Sequence, residues 1–109
     1  MTSVTFFRKD GLFVAVEAIG HTGYAEEGED IVCASVSSII QTSVLGLMQA
    51  AGINVDYEVD EKTPKLSAKL PATLTEQEKH DADLILKTAY LGVSDLYQEY
   101  SDFIKLEVK

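Results

Sequence analysis

The chain has 109 residues, 46% hydrophobic and 25% charged, a composition typical of one soluble globular domain. Its 18 acidic and 9 basic residues give a net charge of −9, which disfavours direct nucleic-acid binding and favours a basic peptide as partner. No signal peptide is recognised, and the most apolar stretch, 31–51, carries Ser, Thr and Gln residues that indicate a buried helix rather than a membrane span. A single cysteine cannot form an internal disulfide, so we expect a cytoplasmic protein. Because no membrane span is predicted, we expect no membrane partner.

Two runs rich in β-forming residues open the chain, at 4–8 and 12–19, and Asp10-Gly11 between them predicts a hairpin. Strict alternation places Val14 and Val16 on one face of the second strand. The same alternation places Phe13 with Glu17 on the other face, which we expect to be only half covered. Residues 20–30 show no periodicity and predict a long loop, a feature that is often functional in small domains.

Residues 31–51 predict an amphipathic helix, because apolar side chains recur at spacings of three and four. The predicted buried stripe is Val32, Val36, Ile39, Ile40, Val44, Leu47 and Met48. Asp30 is the expected N-cap, and Gly52 is the expected left-handed residue just after the helix.

The second half of the chain predicts another hairpin, another helix and a last strand. Residues 54–60 alternate apolar and acidic side chains, and 65–70 alternate apolar side chains with Lys or Ser, so the two runs predict a second hairpin paired by opposite charges. Thr75 and Glu78 form a capping box that opens a second helix of about two dozen residues. A last strand is predicted at 102–108. The sequence therefore predicts a single α+β domain, 1–109, with a mixed or antiparallel sheet packed against two helices.

Cys33 and His21 are the candidate catalytic pair. Cys33 follows the predicted N-cap, Asp30, by three residues and so lies in the first turn, where unpaired N–H groups and the helix dipole favour a thiolate and could hold an oxyanion. His21, across the loop, is the candidate base that takes the thiol proton. The alternative is that Cys33 is a small buried apolar residue and His21 an ordinary loop residue. Two roles are also open for Asp30, which either orients His21 or only caps the helix.

A metal site is not expected, since one Cys and one His supply too few ligands for structural zinc. No cofactor is expected either. The remaining histidine, His80, lies on the side of the second helix that is predicted to face solvent.

The segments Gly20-His21 and Asp30-Ile31-Val32-Cys33-Ala34 closely resemble the ribosomal-processing cysteine protease family known as Prp. The family pattern is a Gly-His pair, a glycine-bearing loop and Asp-x-Val-Cys-Ala opening a long helix, and the resemblance extends over essentially the whole chain. It implies that Cys33 is the nucleophile and His21 the catalytic histidine. Gly20, Asp30 and Ser37 match other residues that the family shares near its site, which implies supporting roles.

The resemblance also implies a substrate. Family members in Firmicutes and related bacteria remove a short N-terminal extension, ending in aromatic residues, from large-subunit ribosomal protein twenty-seven. They are typically homodimers with a mobile loop between His and Cys. The alternatives are a non-catalytic ribosome-assembly module that binds the same basic protein, and a different thiol enzyme such as an acyl transferase.

Overall fold

A computed structural model of the chain describes residues 1–20, 29–60, 62 and 64–109. Within these residues, seven main elements follow one another in the order expected from the sequence. They are β1 (Thr2–Lys9), β2 (Leu12–Ile19), α1 (Glu29–Leu45), β3 (Asp56–Asp60), β4 (Lys65–Lys69), α2 (Glu76–Glu99) and β5 (Ile104–Val108). The predicted α+β class is confirmed.

The five strands form one mixed sheet in the order β3-β4-β2-β1-β5. Both predicted hairpins are present, β2 also pairs antiparallel with β4, and β5 returns to lie parallel to β1. In the first hairpin, Asp10 and Gly11 adopt positive φ angles of 55° and 81°, as a tight hairpin turn requires. In the second, Asp60 lies opposite Lys65 and Asp56 lies opposite Lys69, which is the register that the alternating charges predicted. The Lys65 ammonium lies 3.7 Å from Glu17 Oε2 on β2.

A β-bulge in the first hairpin overturns one face assignment. Phe13 was predicted to lie on the half-covered face with Glu17. The cross-strand register shifts after Phe7 in β1, which leaves an extra residue in β2 and breaks the alternation there. The Phe13 ring therefore packs on the helix side of the sheet, with its centroid 5.5 Å from that of Phe6 and 5.7 Å from that of Tyr90 in α2.

The first helix begins and ends differently from the prediction. It starts at Glu29, two residues earlier than expected, and after Leu45 it continues as one π-helical turn, Gly46–Ala50. Asp30 is therefore the second helical residue and not the N-cap. Gly52 follows with a φ of 68°, which confirms the predicted left-handed residue.

The predicted stripe of this helix packs into the core, apart from Met48, which is exposed, and Ile39, which is only partly buried. By length and composition alone, Ile31–Ala50 could cross a membrane, with a mean hydropathy of 1.8. Core helices of soluble proteins meet the same criterion. Here Val36, Ile40 and Leu47 are fully buried inside the domain, which agrees with the predicted core helix.

The second helix has the predicted capping box. The Thr75 hydroxyl accepts from the Glu78 backbone N–H, and the Glu78 carboxylate accepts from the Thr75 N–H. Asp83, buried on the inner face, accepts a 2.8 Å hydrogen bond from the Phe13 backbone N–H and so ties α2 to the bulged strand. The helix passes α1 at Gly92, where an added Cβ would lie 3.4 Å from Ile39.

Candidate active site

Cys33 lies near the start of α1 and faces the end of β2. It is the fifth residue of the helix, so the unpaired N–H groups of the helix start belong to residues before Val32 and not to Cys33 itself. This corrects the expectation that Cys33 sits in the first turn. The thiol is free and partly exposed. The reading of Cys33 as a sealed core residue is therefore wrong.

Because Gly20 has no side chain, space is left there for the Cys33 thiol. A Cβ built on Gly20 would lie 3.1 Å from Cys33 Sγ, closer than nearly all real Cβ contacts. The Gly20 backbone is held in place, because its N–H donates a 2.8 Å hydrogen bond to the carbonyl of Pro64. The sulfur thus lies against the backbone at the end of β2, and any side chain at this position would press on it.

A cavity of about 290 Å³ opens beside the thiol, between the first half of α1 and the strand ends. Its walls are contributed by α1, by the ends of β1 and β2 and by the β3–β4 hairpin. The side chains and backbone that line it are Thr2, Ala18, Gly20, Cys33, Val36, Ser37, Gln41, Val59, Asp60, Pro64, Lys65 and Leu66. The cavity therefore gives a substrate access to Sγ along a surface that is mostly apolar near the hairpin.

Ser37 and Gln41 continue the line of Cys33 along α1 at successive spacings of four residues. Gln41 Nε2 donates a 2.8 Å hydrogen bond to Ser37 Oγ. Because the hydroxyl oxygen already accepts this bond, its own proton is directed elsewhere and can be donated to a ligand in the cavity. Ser37 was expected from the sequence. Gln41 was missed, although its spacing from Cys33 was a usable signal.

His21 lies outside the described residues, and so does the side chain of Asp30. The structure therefore does not bear on the predicted contact between His21 and Cys33, or on an interaction of Asp30 with His21. His80 is 72% exposed, with Nδ1 3.3 Å from Asp81 Oδ1, which confirms its predicted place on the surface. Within the described part of the chain, no three His, Cys, Asp or Glu side chains gather in a metal-binding group.

Comparisons with known proteins place this chain in one family. A family model described as cysteine protease Prp matches residues 1–105. The chain is 23% identical over 93 residues to the ribosomal processing cysteine protease Prp of Bacillus subtilis, which covers 85% of this chain and 83% of that protein. It is 28% identical over 90 residues to Prp of Staphylococcus aureus, covering 83% and 81% of the two chains.

The solved structures agree with the sequence comparisons. The crystal structure of the essential ribosomal processing protease Prp from S. aureus, in complex with a substrate peptide, matches this fold with a TM-score of 0.87 and 25% identity over 100% of both chains. A crystal structure from Streptococcus mutans matches with a TM-score of 0.86 and 29% identity, over 99% of this chain and 93% of the other. The protein belongs to the Prp family and is a cysteine protease.

Proposed function

We propose that this protease removes the N-terminal extension of large-subunit ribosomal protein twenty-seven, using Cys33 as nucleophile and His21 as general base and acid. The observation that carries the proposal is the partly exposed Cys33 thiol, which lies against Gly20 and opens onto a substrate-sized cavity. His21 directly follows Gly20 in the chain, and a Cβ at Gly20 would lie 3.1 Å from Cys33 Sγ. The S. aureus and B. subtilis relatives are named ribosomal processing cysteine proteases, which supports a ribosomal protein as substrate. The choice of this particular ribosomal protein rests on the resemblance of the motif to the family.

The reaction proceeds through an acyl-enzyme. His21 takes the thiol proton, and Cys33 Sγ forms a bond to the carbonyl carbon of the scissile peptide. The carbon–nitrogen bond then breaks, and His21 returns the proton to the leaving amine. Water hydrolyses the thioester, which releases the carboxylate of the extension and restores the thiol. Asp30 orients His21, and the Ser37 hydroxyl, held by Gln41, donates to a carbonyl oxygen of the substrate.

The charge of the protein suits this substrate. A ribosomal protein is basic, and the net charge of −9 attracts it before any specific contact forms. On β3, Asp56, Glu58 and Asp60 are all exposed, and Asp60 at the end of the strand lines the cavity. We place the enzyme in the cytoplasm, where ribosomal proteins are made.

We also propose that the protein is a homodimer joined through its helix layer. Leu84 and Leu91 of α2 are 58% and 61% exposed, and Leu45 at the end of α1 is also exposed. A shallow groove between the helices, with Ile39 and Ile85 in its walls, continues this apolar surface. Pairing of two such faces would remove apolar area from water.

The decisive test is incubation with the extended ribosomal precursor, followed by intact-mass measurement. The wild type is expected to release the extension. Cys33→Ala and His21→Ala are each expected to lower the cleavage rate more than about a thousandfold, since both remove a group that acts on the reacting atoms. The matched control is His80→Ala, which removes an exposed histidine far from the thiol and is expected to cleave at the wild-type rate.

Three outcomes would contradict the proposal. Cleavage that survives in Cys33→Ala would exclude the thiol mechanism. A wild-type protein that binds the precursor without shortening it would favour a non-catalytic assembly module. Formation of an acyl-Cys33 from a small donor, with the precursor left intact, would instead indicate an acyl transferase.

A further inference from the structure

A second cavity, of about 380 Å³, lies at the opposite end of β2 from Gly20 and Cys33. It opens where the first hairpin turns, beside the segment 70–74 that follows β4, and we call it the bulge cavity. The β-bulge shapes it, because Val14 is the residue of β2 that has no partner in β1. The carbonyl of Val14 accepts a 3.0 Å hydrogen bond from the Leu70 N–H, which holds the segment after β4 against the bulge.

The floor of the bulge cavity is apolar. Leu12 and Val14 line it from β2, and Leu70 and Leu74 line it from the segment after β4. All four side chains are half-buried, and Leu70 and Leu74 also pack against the core. The volume lies near the lower end of the range for small-molecule sites, so the cavity suits one small ligand with an apolar body.

The rim of the bulge cavity is positively charged, although the protein carries a net charge of −9. The exposed residues Lys9, Lys69 and Lys79 line the cavity, and Asp10 is the acid among its lining residues. Lys79 is partly neutralised by Glu76, at 3.4 Å. Physiological salt screens charges beyond about 8 Å, so an anion at the cavity responds to these lysines more than to acids elsewhere on the surface.

Lys9 and Lys69 differ from most lysines of this protein because neither forms an ion pair with any residue in the described ranges. Five other lysines each lie 3.1–3.7 Å from a carboxylate oxygen: Lys65, Lys79, Lys87, Lys105 and Lys109. Asp56 stands opposite Lys69 in the strand register but does not pair with it. Two ammonium groups beside an apolar cavity are thus left without a counter-ion from the described part of the chain.

From these observations we infer that the bulge cavity binds a small apolar carboxylate. The aliphatic floor removes the apolar body of the ligand from water, and the ammonium groups of Lys9 and Lys69 bind its carboxylate. Lysine side chains can lie along apolar surface and still hold their charges at the mouth of a cavity. This ligand differs in charge from the proposed substrate, which is basic, and its site lies at the other end of β2 from Cys33. The inference therefore does not depend on the proposed function.

The test compares two probes of equal chain length and opposite charge, octanoate and octylammonium, by amide NMR titration of the full chain. Octanoate is expected to shift the amide signals of Leu70, Ala72 and Leu74 saturably. Its Kd is expected on the order of 1 mM, as for a ligand of about ten non-hydrogen atoms. Octylammonium is expected to leave these signals unshifted at the same concentrations, because the lysines repel it.

Charge reversal of the two lysines forms the second arm of the test. Lys9→Glu combined with Lys69→Glu is expected to weaken octanoate binding at least about tenfold and to admit octylammonium, since two attractive charges become repulsive. Lys9→Glu alone is expected to weaken octanoate binding about threefold and replaces the double variant if that variant does not fold. The matched control is Lys62→Glu, which makes the same change on an exposed lysine outside the cavity and should keep the wild-type Kd within about twofold.

Several results would overturn the assignment. Octanoate that shifts none of these amides, or that shifts instead the residues of the groove between α1 and α2, does not bind in the bulge cavity. Equal shifts by octylammonium, or wild-type octanoate affinity in the lysine variants, would exclude a role for the charges. A changed oligomeric state of the double variant in light scattering, when wild type does not bind octanoate, would indicate that a second copy of the chain covers the cavity. Cleavage of the precursor is measured separately, so the proposed function stands or falls on its own test.

Discussion

Gly20 is the residue on which the position of the thiol most directly depends. Its backbone hydrogen bond to Pro64 holds the strand end, and its lack of a side chain lets Cys33 Sγ lie against it. Gly20 does not need its conformational freedom, because its φ angle lies outside the left-handed region. The glycine is required for space at the sulfur.

We therefore expect Gly20→Ala to fold but to lose activity. The new Cβ would stand 3.1 Å from Sγ, so the thiol must move by a few tenths of an ångström. Displacements of this order at reacting atoms lower rates steeply, and we expect kcat/KM to fall about tenfold with little change in melting temperature.

A matched substitution tests the same change away from the site. In Gly46→Ala the Cβ meets Ile85 at an ordinary 3.6 Å, so activity should be unchanged. The rate of Cys33 alkylation by iodoacetamide provides a second measurement for both variants. Wild-type kcat/KM and alkylation rate in Gly20→Ala would show that the glycine does not position the sulfur.

From the sequence, we could predict which residues belong to the candidate site more accurately than we could predict how they are arranged. Cys33 was predicted because it is the only cysteine and lies near the start of the predicted helix, and Ser37 was predicted from the resemblance to the Prp family. The start of α1 was predicted two residues late, since Asp30 is an equally good cap and first-turn residue. Gln41 and Val59 were missed because an exposed glutamine on a helix or a valine on an edge strand is ordinary until tertiary structure brings it to the cavity.

At the scale of elements, the contact between α2 and the bulged part of β2 is the most informative. The carboxylate of Asp83 is only 13% exposed, accepts from the Phe13 backbone N–H and lies 3.1 Å from Lys87 Nζ. The periodicity of α2 gave no reason to bury an acid. The β-bulge explains it, since the bulge turns Phe13 toward the helix, where its N–H meets a side-chain acceptor.

Asp83→Ala is expected to lower the free energy of unfolding by about 1–3 kcal/mol, because it leaves the Phe13 N–H buried without an acceptor. Asp83→Asn keeps an oxygen there and should cost less. Lys87→Ala removes only the half-exposed partner and should change stability by less than about 1 kcal/mol. Urea unfolding measures all three. Equal losses for Asp83→Ala and Lys87→Ala would indicate that the ion pair, not the backbone hydrogen bond, matters.

At the scale of the whole molecule, the strand order could not be read from the sequence, although every strand was found. Local patterns define each hairpin, but the choice of β2 as the partner of β4, and of β1 as the partner of β5, depends on how the helices cover the sheet. Among the described residues, this arrangement leaves apolar surface open in several places. One is the β3–β4 hairpin beside Cys33, where Val59 is exposed, and another is the outer face of the helix layer.

The outer helix face leads to the last prediction, which concerns assembly. If two copies pair through it, the exposed Leu84 and Leu91 become buried, and a charge there would have to be desolvated against an apolar partner. Leu84→Asp is therefore expected to convert a dimer into a monomer, as measured by light scattering after size-exclusion chromatography. Val59→Asp is the matched control, because it places the same charge on an exposed apolar residue outside the helix layer and should leave the dimer intact. A Leu84→Asp protein that remains dimeric would exclude the helix face as the interface, and a monomeric wild type would exclude the homodimer itself.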